Sequence, residues 1–168
     1  MPDEKIKQFD YSCRDAHTTG ELSICKECGN KGKSVKEITL KSLVKEEIVQ
    51  NIKRLDGFYF CETPICKVVY FNNQQQVYLH KGDIKVMVGI KETEPPIHVC
   101  YCFNWTQEMI FSQIMQLGYS TAPQEITAKI KAGECACEIN NPSGRCCLGA
   151  VNKTIKRGIE LYGKKESN

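Results

Sequence analysis

A chain of 168 residues is long enough for one medium domain or two small ones. Its formal net charge is only +3, without the basic stripe of a nucleic-acid binder, and no run approaches the roughly 18 apolar residues that span a bilayer. Nucleic acid and membrane insertion are therefore not expected. Eleven cysteines, an odd number, follow an opening "MPDEKIKQFD" that is no secretory signal. A cytoplasmic location with reduced thiols is expected, and thiols in such numbers there point to metal rather than to disulfides.

In chain order, residues 1–22 read as a polar, irregular extension. Cys13 and His17 within it stand at a spacing that could ligate metal, or serve as a free thiol and a surface imidazole. Cys25 and Cys28 then form a Cys-X-X-Cys knuckle, with Gly29 behind it to turn the backbone. "VKEITLKSL" (Val35 to Leu43) alternates as a strand does. Val44, Ile48, Ile52 and Leu55 recur at helical spacing and predict a short amphipathic helix. The β-rich stretch Phe58 to Asn72 centres on a second knuckle, Cys61-x4-Cys66, with Pro64 in its turn. "NNQQQ" turns the chain into another strand. In "DIKVMVGIK", Ile84, Val86, Val88 and Ile90 alternate onto one strand face. A zinc-binding β-rich subdomain with one helix is thus expected over residues 23–94.

"KETEPPIH" (Lys91 to His98) reads as a linker. Beyond it the apolar period changes from 2 to 3.6. Ile110, Ile114 and Leu117 predict a helix stopped by Gly118. Thr121 and Gln124 stand as a capping-box pair for a second helix, striped by Ile126 and Ile130 and ended by Gly133. Leu148, Val151 and Ile155 predict a third. A helical subdomain is expected over residues 95–160, with a tail at 161–168. The fold class read from these elements is α+β: a small zinc-stapled antiparallel β subdomain with one helix, followed by an all-α subdomain.

Structural zinc takes four soft or borderline ligands in a tetrahedron. Cys25, Cys28, Cys61 and Cys66 supply them from two turns. A site closed by four thiolates has no open position, so its role is structural, and a small β subdomain needs such a staple. Four buried reduced thiols, or a mononuclear iron site, are the competing readings.

The second half holds Cys100-Tyr-Cys102 and then Cys135, Cys137, Cys146 and Cys147. A [2Fe-2S] cluster needs four thiolates, normally two per iron. A Cys-X-Cys turn can place two sulfurs on one side of it, with a second pair coming from across the helical hairpin. "CYCFNWTQEMIFSQI", a two-helix spacer and a later cysteine group resemble the bacterioferritin-associated-ferredoxin type of [2Fe-2S] domain. The chain departs from that type through the inserted "EINNPSGR".

A narrower resemblance covers about residues 23–157. "CxxCGxxGK", "FYFC-x4-CKVVYF", "CYCF", "STAP" and "CAC…NPSGRCCLG" together resemble the N-terminal zinc and [2Fe-2S] domain of CopZ-type copper chaperones. The resemblance implies an all-cysteine zinc site packed beside a [2Fe-2S] subdomain that can pass an electron to Cu(II). Such chaperones also carry a copper domain with Met-X-Cys-X-X-Cys, a motif this sequence lacks. Against the simpler fold, Cys100 and Cys102 form the first ligand pair. Cys147 matches the cysteine opening the last helix, where the helix N-terminus favours a thiolate. Cys137 is the expected third ligand, with Cys135 and Cys146 as alternates. If unused, Cys135 and Cys146 are spare thiols or a transient site for soft Cu(I). His98 is an exposed or supporting histidine, or a Rieske-like ligand. Phe103 and Trp105 read as core.

The expected function is an iron–sulfur electron-transfer protein of copper handling. It reduces Cu(II) to Cu(I) or passes electrons to a partner, and carries a structural Zn2+ site. Its partners would be copper ion or a copper-transfer protein, and an unidentified electron donor. The alternative is an iron–sulfur adaptor or sensor unrelated to copper, and a third reading is a two-zinc nucleic-acid module. No nucleotide fingerprint and no paired-carboxylate or Ser/His/Asp site stands out, so a one-electron carrier is expected rather than a turnover enzyme.

Overall fold

The computed structural model describes residues 20–163; Cys13 and His17 lie outside them. Within that span the chain mixes helix with a small antiparallel sheet, an α+β arrangement. Four strands, β1 (Lys33–Ser34), β2 (Tyr59–Phe60), β3 (Val68–Asn72) and β4 (Val77–His80), pair antiparallel in chain order. β3 is buried at every position, because the sheet covers it on two sides: Val69 and Tyr70 join the main core, and Val68 and Phe71 join the knuckle cysteines. The β3–β4 turn falls on the polar "NNQQQ" run, where Asn73 Nδ2 donates to the Leu22 and Ile24 carbonyls at 3.0 and 2.7 Å. That pins the first knuckle to the hairpin.

The local reading of this half needs three corrections. Val35 to Leu43 is not a strand: Glu37–Leu43 forms α1. Its buried residues, Thr39, Leu40 and Leu43, fall at i, i+1 and i+4, one helical face. The expected helix from Val44 to Leu55 shrinks to one turn, α2 (Glu46–Val49), because Val44 instead bridges Ile84. Ile84 to Ile90 is not a strand either. Ile84 and Val88 are buried while Ile90 is exposed, and the backbone tightens into 3-10 turns at Lys81–Asp83 and Gly89–Lys91.

The second half is not all-α. It opens on a ribbon, β5 (His98–Cys100) and β6 (Trp105–Thr106), which turns Val99 and Trp105 into a core with the helices. Then come α3 (Gln107–Leu117), α4 (Ala122–Lys131), α5 (Cys137–Asn140) and α6 (Leu148–Tyr162). Ile110 and Ile114 of α3, Ile126 of α4 and Val151 of α6 build that core, and α3 ends at left-handed Gly118 as expected. The capping box of Thr121 and Gln124 does not form. The Thr121 hydroxyl donates to Glu125 at 2.6 Å, and the Ala122 N–H finds the Ser120 hydroxyl. Among the described residues no helix is long and apolar enough to cross a membrane.

The two cores are pressed together rather than strung on a linker. Tyr70, buried in the sheet, donates its hydroxyl to the Pro142 carbonyl at 2.5 Å, and Lys36 pairs with Glu138 of α5. Lys91, at the head of the expected linker, is itself buried. Next to it, Gly89 lies so close to the His98 backbone that a methyl group there would collide with the carbonyl. Gly89→Ala is expected to destabilise the protein by roughly 1–3 kcal/mol, the usual cost of overpacking. A thermal or denaturant melt checks this; an unchanged midpoint would show that the turn has room to move.

Candidate metal centres

The first centre is built from two loops. Cys25 N–H bonds the Asn30 carbonyl and Gly29 N–H bonds the Cys25 carbonyl, at 2.9 and 2.7 Å. Gly29 closes this knuckle at φ 73°, a left-handed conformation that costs glycine least. Cys61 and Cys66 sit where β2 runs out and β3 begins. Cys61 N–H bonds the Val69 carbonyl, and Cys66 N–H bonds that of Thr63. Each local hydrogen bond points a side chain to the same place.

There the four sulfurs lie within 4.8 Å of one another. Cys25 and Cys66 sulfurs are 3.9 Å apart, and those of Cys28 and Cys61 are 3.7 Å apart. A regular tetrahedron with zinc–sulfur bonds of about 2.3 Å has edges of about 3.8 Å. The donor set therefore fits zinc in chemistry and in size. Cys25, Cys61 and Cys66 are buried, and Cys28 is half-buried.

Electrostatics agree. Burial pushes the Cys25 thiol up and the Cys66 thiol up to about 12. Burial also raises Cys28, but hydrogen bonds from the Thr63 hydroxyl, the Asn30 backbone N–H and the neighbouring thiols outweigh it and bring it to about 6. Without a cation Cys28 ionises easily while Cys25 and Cys66 resist, first because burial disfavours a bare thiolate and then because like charges crowd one small volume. A divalent cation removes that conflict. Thr63 and Asn30 went unnoticed in the sequence. Asn30 Nδ2 donates to Thr63 Oγ1 at 2.9 Å, and that oxygen lies 3.4 Å from Cys28 Sγ.

The second group lies on the other core. Cys100 ends β5, Cys102 follows in the ribbon turn, Cys137 opens α5 and Cys147 caps α6. The sulfurs of Cys102 and Cys137 stand 3.7 Å apart. Cys102 Sγ also receives the Ala136 N–H at 3.3 Å and the Asn140 amide at 3.7 Å. Cys100 and Cys147 lie buried in the same helical core, and the influence of each thiol on the other lowers Cys100 to about 7 and raises Cys147. Burial first, and the Cys102 thiol second, push Cys137 up to about 12.

Cys102 of the Cys-X-Cys turn thus pairs with a later cysteine and not with Cys100. Strand geometry explains it, since Cys100 faces the core and the turn swings Cys102 outward to α5. Cys135 and Cys146 are exposed. His98 stacks on Tyr101 with ring centres 5.7 Å apart, and its Nδ1 is buried without a partner. Among the described residues it joins no group of three or more ligand side chains. Trp105 is core, and Phe103 lies under the Lys129 ammonium at 4.9 Å.

Known proteins place this chain. The CopZ-type family described as a zinc binding domain matches residues 22–85. The copper chaperone CopZ of Archaeoglobus fulgidus is 42% identical over 143 residues, which is 85% of this chain and 65% of the relative. This chain therefore spans just under two thirds of that relative's length. The X-ray structure of the Archaeoglobus fulgidus CopZ N-terminal domain superposes with a TM-score of 0.64 at 34% identity, covering 77% of this chain and 95% of the other. With its thiol tetrahedron inside the matched segment and likeness over most of its length, the chain belongs to the family of CopZ-type zinc-binding N-terminal domains.

Proposed function

We propose that this chain is an iron–sulfur electron-transfer protein of copper handling, stapled by a structural zinc. In this reading Cys25, Cys28, Cys61 and Cys66 hold the zinc, and Cys100, Cys102, Cys137 and Cys147 hold a [2Fe-2S] cluster. The observation that carries the second assignment is that Cys102 faces Cys137 at 3.7 Å while Cys100 and Cys147 lie buried together in the helical core. The first four sulfurs converge within 4.8 Å, whereas the second four do not close into such a group. A single four-coordinate ion wants convergence, and a dinuclear cluster wants two thiolates at each end. The N–H groups of Ala136 and Asn140 at Cys102 supply the sulfur hydrogen bonds that tune such clusters.

When bound, the cluster supplies one electron at a time, and Cu(II) needs one to become Cu(I). A separate donor would reload it. The copper assignment leans on the relative named a copper chaperone. The chain's own part is to hold the four thiolates, to bury two of them from solvent, and to offer soft sulfur to the product ion. Exposed Cys135 and Cys146 suit that last task, since thiolates favour Cu(I).

The test mixes dithionite-reduced protein, freed of excess reductant, with one equivalent of Cu(II) under argon. The visible bands of the oxidised cluster should return while the Cu(II) EPR signal disappears. The double variant Cys135→Ser/Cys146→Ser should reoxidise equally but retain less Cu(I). A cluster that stays reduced beside unreacted Cu(II) overturns the copper reading in favour of an adaptor. Bleaching with iron release counts against it too, because displacement of iron is not electron transfer.

A further inference from the structure

The zinc loop and the Cys100–Cys102 turn are joined by two polar links that meet in one short turn. Lys91 is 7% exposed, and lysine is almost never buried without a partner. Its Nζ donates to the Thr63 carbonyl at 2.6 Å, inside the Cys61–Cys66 loop. Four thiolates around one divalent cation leave net negative charge. A buried ammonium on that loop is stabilised by the site and stabilises it in return.

Lys91 also ends the 3-10 turn Gly89–Lys91. At the other end of that turn, the Gly89 N–H donates to Tyr101 Oη at 2.7 Å, and the Tyr101 hydroxyl donates to the Met87 carbonyl at 3.0 Å. Two backbone bonds tighten the turn, Lys91 N–H to Val88 and Glu92 N–H to Gly89. Contact of Gly89 with the His98 backbone stops it from sliding. Tyr101 is the residue between Cys100 and Cys102.

We propose that Lys91 and Tyr101 are positioning residues, the two ends of a strut through which the zinc loop holds the Cys100–Cys102 turn in place. Zinc then does more than staple its own subdomain: it sets where the first two cluster thiolates stand. The far end rests on the [2Fe-2S] reading; the zinc end does not.

A double-mutant cycle tests the strut, read by the rate of zinc transfer to a colorimetric chelator and by the visible circular dichroism of the oxidised cluster. Lys91→Met should speed zinc transfer about tenfold, the scale of a lost charge-assisted hydrogen bond, and should also alter the cluster spectrum. Tyr101→Phe removes only a hydroxyl whose hydrogen-bond partners, Gly89 and Met87, lie outside the zinc loop, yet it should speed zinc transfer several-fold. The double variant should transfer zinc no faster than Lys91→Met alone, since a strut is cut only once. Lys91→Arg should restore both readouts. A wild-type rate in Tyr101→Phe, or effects that multiply in the double variant, overturns the strut. If Lys91→Met does not fold, Tyr101→Phe decides by itself. If wild-type protein holds zinc but shows no cluster bands, the [2Fe-2S] reading fails, and the zinc-transfer cycle still decides the strut.

Discussion

Cys61→Ser is expected to release zinc and unfold the sheet half of the protein. Cys61 is 1% exposed and joins Cys25, Cys66, Val68 and Phe71 in a small core of its own. Strands β1 and β2 have two residues each, too short to hold register without support from their ends. Structural zinc contributes about 10–16 kcal/mol in small zinc-dependent folds at neutral pH. A whole domain is stable by only about 5–15 kcal/mol. Losing one of four ligands therefore removes a quantity comparable to the entire stability. Metal analysis should fall from one zinc per chain to none, and the amides of Val68–Asn72 should lose protection from hydrogen exchange. The helices α3, α4 and α6 keep a separate core and should retain their far-ultraviolet signal. A variant that keeps one tightly bound zinc and full protection would show that these four cysteines are not a closed site.

The second large effect concerns colour. Cys102→Ser and Cys137→Ser should each abolish the visible bands of the reconstituted protein, while Cys135→Ser and Cys146→Ser should leave them intact. The first two sulfurs face each other at 3.7 Å; the other two are exposed to solvent. Cys137 is only partly buried, so its loss should cost little folding energy, and absence of colour there reports ligation rather than collapse. Cys147→Ser should behave alike, although its burial in the helical core confounds folding with ligation. Bands that survive Cys137→Ser but vanish in Cys135→Ser would exchange the two assignments. Colourless wild-type protein after anaerobic reconstitution with iron and sulfide, carrying two zinc ions instead, would remove the cluster altogether.

What the sequence determined by itself was mostly local chemistry. Cys-X-X-Cys followed by glycine, and Cys-x4-Cys between two β-rich runs, force their thiols into tight turns, and the turns appear where the spacing places them. Helices α3 and α4 were legible because their apolar residues repeat one period up to a glycine stop, Gly118 and Gly133. The polar "NNQQQ" run between apolar strands could only be a hairpin turn.

Tertiary structure decided the rest, wherever a short segment satisfied two periods at once. Val35 to Leu43 carries apolar residues that alternate and also fill a helical face; packing against the sheet and α5 selected the helix. Ile84 to Ile90 alternates cleanly, but the close approach of Gly89 to His98 left no room for a strand. The pairing of Cys102 with Cys137 spans 35 residues, and no local rule chooses Cys137 over Cys135. That choice falls to the first turn of α5, where the Ala136 N–H and the Asn140 amide converge on Cys102. The same limit hid Lys91. In sequence it opens a polar, proline-rich stretch. Only the folded chain brings its ammonium under the Thr63 carbonyl, because a contact across 28 residues is set by the shape of both cores and by no pattern along the chain.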